Sequence, residues 1–125
     1  IVIGAGNMGS ALAQYPSFAR EGFEVFALFD VAPAKVGTRL GNIPIFPMED
    51  LETYLGDHHV DVAVLSLPVG AAQKTQNRMA ECGIRAVWNF APTDLHHPEE
   101  MIVVNVHLSD SLQILSYKMA HMEDA

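Results

Sequence analysis

The chain has 125 residues, of which 50% are hydrophobic and 18% charged, so we expect one globular domain rather than a disordered, collagen-like or coiled-coil chain. Its formal net charge of −8 would repel a phosphate backbone, which argues against nucleic-acid binding by this segment itself. The single cysteine and the lack of an apolar run of about 18 residues predict a cytoplasmic protein that does not span a membrane.

The first half of the chain alternates between strand and helix patterns. Ile1–Ile3 is too short for a whole strand, so we expect the chain to begin inside one, with the first strand truncated. Apolar side chains at steps of three and four then predict a single amphipathic helix that ends at Gly22. Phe23–Phe29 is a nearly continuous apolar run, as in a parallel strand covered on both faces. A weaker strand and a second helix, which Pro47 begins and Gly56 ends, come next.

The second half continues the alternation. Its predicted elements are the strand Val60–Leu67, the helix Val69–Glu81 with Gly83 just beyond it, the strand Ile84–Phe90, the loop Ala91–Glu99, the strand Met101–Val106 and a final helix. Strands that alternate with helices pair in parallel through right-handed crossovers. The sequence therefore predicts one α/β domain over residues 1–125, with a doubly wound, Rossmann-like parallel sheet and helices on both faces.

The first turn carries a phosphate-binding motif. Gly4-Ala5-Gly6-Asn7-Met8-Gly9 has the spacing Gly-x-Gly-x-x-Gly, and it follows a predicted strand and opens a predicted helix. In that context the glycines allow a tight turn, a close approach of the backbone to a pyrophosphate and close packing of helix on strand. The free N–H groups of the helix N-terminus favour phosphate there. The alternative is a purely structural glycine-rich turn.

Asp30 ends the second predicted strand, 21 residues beyond Gly9. A carboxylate at this position accepts hydrogen bonds from the hydroxyl groups of an adenosine ribose and repels a 2′-phosphate. We therefore expect NADH and NAD⁺ as cofactors, in preference to the phosphorylated forms. A simple turn residue is the alternative for Asp30.

Two further turns are expected at the same end of the sheet. Ser66-Leu67-Pro68 closes one buried strand, and Asn89-Phe90-Ala91-Pro92 closes the next. Ligands of open α/β sheets bind beyond the carboxyl ends of the strands, so these turns should face the dinucleotide. Ordinary punctuation between strand and loop is the alternative.

Other polar residues give no site. The pairs His58-His59 and His96-His97 lack the cysteine or carboxylate spacing that would complete a zinc site, so no metal is expected. Catalysis would need an acid or base facing the nicotinamide, and only His107 is a candidate. We therefore do not expect an enzyme.

The final helix carries an apolar seam. Its residues Leu108, Leu112, Leu115, Met119 and Met122 recur at steps of four and three, a spacing suited to packing against another helix. The helix either faces the core of its own chain or reaches a second subunit.

Taken together, these motifs resemble the Rex family of redox-sensing transcriptional repressors. The resemblance spans almost the whole chain and rests on the glycine-rich turn with Tyr15 and Phe18, on Phe29-Asp30, Pro33, Lys35, Val36 and Gly37, on Pro68 and Ala72-Gln73, on Cys82-Gly83-Ile84, on Trp88-Asn89-Phe90-Ala91-Pro92, and on Leu112-Gln113, Leu115 and Tyr117. Of these segments, Asn-Phe-Ala-Pro is far more specific than the glycines.

The resemblance implies a function and partners. It implies a cytoplasmic homodimer whose final helix is exchanged between subunits, with NADH or NAD⁺ bound by this half and operator DNA bound by an N-terminal winged-helix half that this chain lacks. NADH binding would release the dimer from DNA. The cofactor contacts implied are the glycine-rich turn, Asp30 and the two later turns, with Tyr15 close to the cofactor.

One position departs from the family. The chain reads Val106-His107-Leu108 where the family usually has Val-Asp-Leu, and the family aspartate pairs with an arginine during the redox switch. A histidine cannot supply that negative charge, so His107 is predicted to change the switch rather than dinucleotide binding.

Two other functional classes stay open at this point. One is a CoA-binding domain of the kind found in acyl-CoA ligases, and the other is the cofactor domain of a dehydrogenase that lacks its catalytic domain. Asp30 disfavours the first, because a ribose that bears a 3′-phosphate does not suit a carboxylate placed for ribose hydroxyls.

Overall fold

The computed structural model describes residues 1–106 and 108–123. Its strands are β1 (Val2–Ile3), β2 (Leu28–Asp30), β3 (Arg39–Leu40), β4 (Ile43–Pro47), β5 (Ala63–Leu65), β6 (Ala86–Asn89) and β7 (Ile102–Asn105). Its helices are α1 (Asn7–Ala13), α2 (Pro16–Arg20), α3 (Leu51–Asp57), α4 (Val69–Glu81) and α5 (Leu108–Glu123), with a 3-10 turn, Met48–Asp50, before α3.

The strands form one sheet in the order β3-β4-β2-β1-β5-β6-β7. Every neighbouring pair is parallel except β3 and β4. From the central β1 the chain first runs outward through β2 and then returns to start again at β5, on the other side of β1. This reversal beside β1 is the topological switch point of a doubly wound sheet. The predicted α/β fold with a mainly parallel sheet is confirmed.

Helices pack on both faces of the sheet. The alternation of side chains along a strand sends Val2 and Leu28 to the face covered by α1 and Ile3 and Phe29 to the opposite face. The second face carries the larger core, which includes Leu51 of α3, Ala72 and Met79 of α4, and Leu95 and Met101 from the segment after β6. All of these side chains are buried.

The helix predicted after the glycine-rich turn is in fact two helices. Pro16 lacks an N–H group and clashes with the preceding turn of a helix, so α1 ends at Ala13 and α2 begins at Pro16 itself. Tyr15 is the N-cap residue of α2. The prediction of a single helix was wrong, and the break is what places Tyr15 at a corner between two helices.

Several strand boundaries also differ from the prediction. The ladder of β2 starts at Leu28, because the register pairs that it forms with β1 and β4 begin at that residue. Phe23 and Phe26 are 52% and 48% exposed, so the expectation that Phe23–Phe29 is a covered strand was wrong. The short hairpin of β3 with β4 was not predicted. Helix α3 passes through Gly56 and ends one residue later.

Helix α4 has the bounds that the sequence predicts, Val69–Glu81. Gly83 adopts a φ of +85°, which suits glycine in the position after the C-cap. Gly83 N–H donates to the carbonyl of Ala80, and Ile84 N–H donates to that of Met79, each at 3.1 Å. These two bonds form a Schellman motif, which returns the chain directly into the next strand.

Candidate functional site

The glycine-rich turn joins β1 to α1 at the switch point. Gly4 has a φ of +103°, a conformation that residues with a Cβ rarely adopt. Its N–H donates to the carbonyl of Phe29 at 2.7 Å, so the turn starts in register with β2. Gly6 is the N-cap residue of α1, and no side chain caps the helix there. The turn therefore leaves this helix N-terminus open to a ligand.

The three glycines of the motif have different surroundings. A Cβ on Gly9 would overlap the carbonyl oxygen of Gly4 and lie 2.6 Å from Ser66 Oγ. A Cβ on Gly4 would lie 2.5 Å from the Ser66 carbonyl oxygen. A Cβ on Gly6 would meet nothing within 4 Å. Gly4 and Gly9 thus serve the packing of helix on strand, whereas the open side of Gly6 suits the approach of a ligand.

Asp30 lies beside this turn. Its Oδ2 accepts a hydrogen bond from Ala5 N–H at 2.6 Å, and its Oδ1 accepts one from Ala32 N–H at 2.8 Å. The side chain is partly exposed, so each oxygen keeps acceptor capacity toward solvent. The structure thus brings together the glycine-rich turn and the carboxylate that the sequence singled out.

The turn after β5 supports the same region from the other side. Ser66 Oγ donates to the carbonyls of Gly4 and Ile3, at 3.1 and 3.3 Å. Leu67 is half-buried and packs against the core, while Pro68 is exposed and is the N-cap residue of α4. Ser66 is therefore placed as a structural contact of the glycine-rich turn, and Pro68 stands at its open edge.

The turn after β6 lies at the same end of the sheet, one strand further out. Asn89 is fully buried, and its side chain bonds only to protein atoms within the described residues: Ala91 N–H, the carbonyl of Thr93 and Asn105 Oδ1. Phe90 is half-buried, Ala91 is buried and Pro92 is exposed. Asn89 therefore holds the shape of the turn with its side chain.

Sequence reasoning assigned no contact to two residues that bond to this turn or to the loop after it. Asn105, at the end of β7, accepts from Asn89 Nδ2 at 2.9 Å. Gln73 of α4 both donates to the carbonyl of His96 and accepts from its N–H, each at 2.9 Å, which ties the following loop to the helix. No periodicity marks either residue, because each acts through a contact with a segment distant in sequence.

Tyr15 begins a row of aromatic side chains. Its ring is 54% exposed and meets that of Phe18 edge-on at 5.2 Å. Phe18 in turn lies 5.7 Å from Trp88, whose ring is 4.8 Å from that of Phe90. The row thus links the corner between α1 and α2 to the turn after β6.

His107 lies outside the described residues, so its predicted role in switching stays a prediction. Within the described residues, no group of three His, Cys, Asp or Glu side chains is placed to hold a metal ion. In the same residues, no helix has both the length and the hydropathy needed to cross a membrane.

An apolar surface lies on the α1 side of the sheet along β5, β6 and β7, and its most exposed side chains are those of β7. We call it the open face. It forms a groove of about 360 Å³ whose walls include Phe18, Phe23, Val64, Trp88, Ile102 and Val104. Ile102 and Val104 are 67% and 56% exposed. Exposed apolar side chains that line one groove make it a candidate interaction surface.

Helix α5 presents a second uncovered apolar surface. Leu112, Leu115, Met119 and Met122 are each more than half exposed. The alternative that this helix faces the core of its own chain is therefore wrong.

A mainly parallel, doubly wound sheet with an open glycine-rich turn and an acidic residue after β2 defines a nucleotide-binding domain of the Rossmann type. The chain belongs to the CoA binding domain family, which matches residues 1–93.

Curated relatives give a more specific similarity. The chain is 41% identical over 123 residues to the redox-sensing transcriptional repressor Rex of Caldanaerobacter subterraneus subsp. tengcongensis. The matched region covers 98% of this chain and 55% of that relative. It is 43% identical over 119 residues to Rex of Clostridioides difficile, covering 95% of this chain and 57% of the relative. The chain thus spans a little over half the length of these relatives, and the resemblance to Rex proteins is confirmed.

Solved structures agree. The crystal structure of RSP in complex with β-NADH has a TM-score of 0.91 and 39% identity, over 98% of this chain and 59% of that one. The complex of RSP with β-NAD⁺ and operator DNA has a TM-score of 0.90 and 39% identity, and the match covers 98% of this chain and 56% of that one. UDP-D-quinovosamine 4-dehydrogenase from Vibrio fischeri, at 20% identity and a TM-score of 0.56 over 90% and 80%, shares the fold alone. The two curated relatives and RSP are described as repressors, which agrees with the prediction that this chain is not an enzyme.

Proposed function

We propose that this chain is the NADH-sensing and NAD⁺-sensing domain of a redox-responsive transcriptional repressor. The observation that carries the proposal is the placement of the Asp30 carboxylate directly beside the open glycine-rich turn. A carboxylate there suits a ribose with free hydroxyl groups and disfavours a phosphorylated one. The similarity to RSP, whose complexes contain NADH in one case and NAD⁺ with operator DNA in the other, supports the same assignment.

Each part of the site has a proposed role. The turn from Gly4 to Gly9, with Ala5, Asn7 and Met8 between the glycines, holds the pyrophosphate through backbone N–H groups, and Gly6 leaves room for it. Asp30 accepts from the adenosine ribose. Ser66-Leu67-Pro68 and Asn89-Phe90-Ala91-Pro92 bound the nicotinamide half, with Tyr15 nearby. Side-chain contacts of Ser66 and Asn89 go to the protein, so these two act by shaping their turns.

A dimer through α5 explains two surfaces at once. The open face is an apolar groove with exposed side chains on β7, and α5 is a helix with an exposed apolar seam. Packing α5 of one subunit on the open face of another buries both surfaces, which favours association. We therefore propose a homodimer in which α5 is exchanged between subunits.

The repressor function needs operator DNA, which the acidic composition of this chain does not favour. We therefore assign contact with DNA to an N-terminal domain outside this chain. We further propose that the protein is cytoplasmic. The switch requires that NADH and NAD⁺ differ in their affinity for two arrangements of the dimer, because a ligand shifts an equilibrium only by its differential affinity.

A CoA-binding domain is the second candidate, because the family that matches residues 1–93 carries that description. The two candidates differ at the ribose. CoA carries a 3′-phosphate on the same ribose whose hydroxyl groups would face Asp30, so the carboxylate opposes CoA and accepts NADH.

The test is a fluorescence titration of the chain with NADH, NADPH and CoA. Trp88 is the one tryptophan in the sequence and lies next to the turn after β6, so energy transfer to a reduced nicotinamide reports binding directly. We expect NADH to bind at least about tenfold more tightly than NADPH, equivalent to about 1.4 kcal/mol. Competition by CoA at equal or lower concentration than NADH would favour the second candidate and contradict the first.

A further inference from the structure

One buried carboxamide joins the turn after β6 to the end of β7. Asn89 Nδ2 donates to the carbonyl of Thr93 at 2.8 Å and to Asn105 Oδ1 at 2.9 Å. Asn89 Oδ1 accepts from Ala91 N–H at 3.0 Å. Both hydrogens of the amide nitrogen are thus used, one toward the turn and one toward β7.

The amide group is planar and rigid, so its three partners have linked positions. Asn89 is fully buried, and a shift of the turn alone would leave a buried polar atom without a partner. The turn can therefore move only if the Asn105 side chain moves with it or if the hydrogen bond breaks. In the part of the chain that the structure describes, the hydrogen bonds between this turn and β7 all involve Asn89.

The end of β7 leads directly to the exchanged helix. Asn89 and Asn105 are the last register pair of β6 and β7, and Val106 N–H donates to the carbonyl of Asn89 at 2.8 Å. Helix α5 begins at Leu108. Residue 89 thus lies between a turn that faces the cofactor end of the sheet and the segment that starts the dimer-forming helix.

We infer that Asn105, through its hydrogen bond to Asn89, is a positioning residue that couples cofactor binding to the attachment of α5 on a second copy of this chain. The inference rests on the proposed function. Cofactor that contacts the turn Asn89–Pro92 sets the position of the Asn89 amide. That amide sets the position of the Asn105 side chain, in the last register pair of the sheet before α5 begins.

The coupling is measured as the ratio of two dimer dissociation constants, one without cofactor and one with saturating NADH. Sedimentation velocity gives the dimer dissociation constant of the 125-residue chain without cofactor and with saturating NADH. We expect NADH to change this constant by about fivefold or more in the unmodified chain, within the range usual for coupled sites. The reciprocal measurement, NADH affinity at protein concentrations below and above dimer formation, must give the same ratio.

Two variants at one exposed position isolate the contact. Asn105→Ala removes the acceptor for Asn89, whereas Asn105→Asp keeps an oxygen in that place. Because Asn105 is exposed, neither change removes a buried side chain, and chemical unfolding measures any loss of stability separately. Asn42→Ala, an exposed asparagine in the hairpin of β3 and β4, is the matched control.

We expect Asn105→Ala to bind NADH and to dimerise, with the ratio reduced to about one. We expect Asn105→Asp and Asn42→Ala to retain the ratio of the unmodified chain. A merely structural role for Asn105 would lower stability but leave the ratio intact, and an intact ratio in Asn105→Ala would overturn the inference. Failure of the unmodified chain to bind NADH would instead contradict the proposed function itself.

Discussion

The Asp30 carboxylate accepts a hydrogen bond from the backbone N–H of Ala5 at 2.6 Å, across the gap between β2 and the glycine-rich turn. Its second oxygen accepts from Ala32 N–H at 2.8 Å. Asp30 therefore orders both the phosphate-binding turn and the chain that follows β2. In the proposed complex the remaining acceptor capacity of the same carboxylate receives the ribose.

Replacing Asp30 with alanine should weaken NADH binding and reduce the preference over NADPH. A hydrogen bond to a charged group contributes about 1.5 to 3 kcal/mol, so we expect a loss of about 10- to 150-fold in NADH affinity. NADPH should lose less, because the repulsion of its phosphate by the carboxylate disappears. The measurement is the fluorescence titration with both cofactors.

Asp57→Ala is the matched control, because Asp57 is an exposed aspartate at the end of α3. It should leave both affinities unchanged. Equal loss for NADH and NADPH in Asp30→Ala would mean that Asp30 only shapes the turn and does not meet the ribose.

Alanine at two glycines of the motif should separate folding from binding. Gly9→Ala places a Cβ against the Gly4 carbonyl and Ser66 Oγ, so we expect a loss of at least about 1 to 3 kcal/mol in unfolding free energy, as in other overpacked cores. Gly6→Ala meets open space and should change stability little while weakening NADH binding. Urea unfolding and the NADH titration together distinguish the two effects, and a stable Gly9→Ala variant would refute the packing assignment.

A charged residue on either proposed dimer surface should produce monomers. Leu115→Asp on α5 and Val104→Asp on the open face each place a carboxylate in an apolar contact, and each residue is more than half exposed in the single chain. We expect sedimentation to show one subunit for both variants with the fold retained. Gln113→Asp, on the opposite side of α5 from the apolar seam, should remain a dimer. A dimeric Leu115→Asp would exclude the seam as the interface.

The ion pair of Glu52 with Arg78 should make a small, pH-dependent contribution to stability. Arg78 Nε donates to Glu52 Oε2 at 2.9 Å, and its Nη2 also donates to the carbonyl of Met48 at 2.6 Å. The hydrogen bond from Arg78 lowers the pKa of Glu52 below its ordinary value. A carboxyl whose pKa is lower in the folded state stabilises the fold above its unfolded pKa and loses that effect as pH falls through the folded pKa.

Glu52→Gln should therefore lower the unfolding free energy at pH 7 by about 0.5 kcal/mol, since both side chains of the pair are partly exposed and water screens their charges. The difference from the unmodified chain should shrink as pH falls through the lowered pKa of Glu52 and vanish once that carboxyl is protonated in the folded chain. Urea unfolding across this range, with Glu49→Gln as the control, measures it. If Glu52→Gln remains less stable than the unmodified chain in acid, the loss of stability does not come from the missing charge of Glu52.

The predictable parts of this fold are those with local causes. The bounds of α4 follow from its own pattern and from Gly83 beyond it, and the glycine-rich turn follows from its spacing. The helix break at Pro16 was also predictable, because proline disrupts the helical turn that precedes it. The apolar spacing continues past Pro16, however, and favoured the prediction of a single helix. The start of β2 at Leu28 was not predictable locally, since its pairing with the neighbouring strands sets it.

The candidate site divides in the same way. The glycines and Asp30 come together as predicted because each follows a strand at one end of a parallel sheet. Asn105 and Gln73 act on the turn after β6 and on its loop across 16 and 23 residues, and only the folded chain brings them there. The burial of Asn89 likewise depends on what surrounds β6.

The uneven cover of the sheet has a consequence for how the protein melts. Helices of the same chain bury one face of the sheet, whereas the open face and the apolar seam of α5 are buried only by the second subunit of the proposed dimer. Unfolding then includes dissociation, so mass action ties the midpoint of thermal denaturation to protein concentration. A dilute sample should therefore have a lower melting temperature than a concentrated one. Melting temperatures of this protein can be compared only at equal protein concentration.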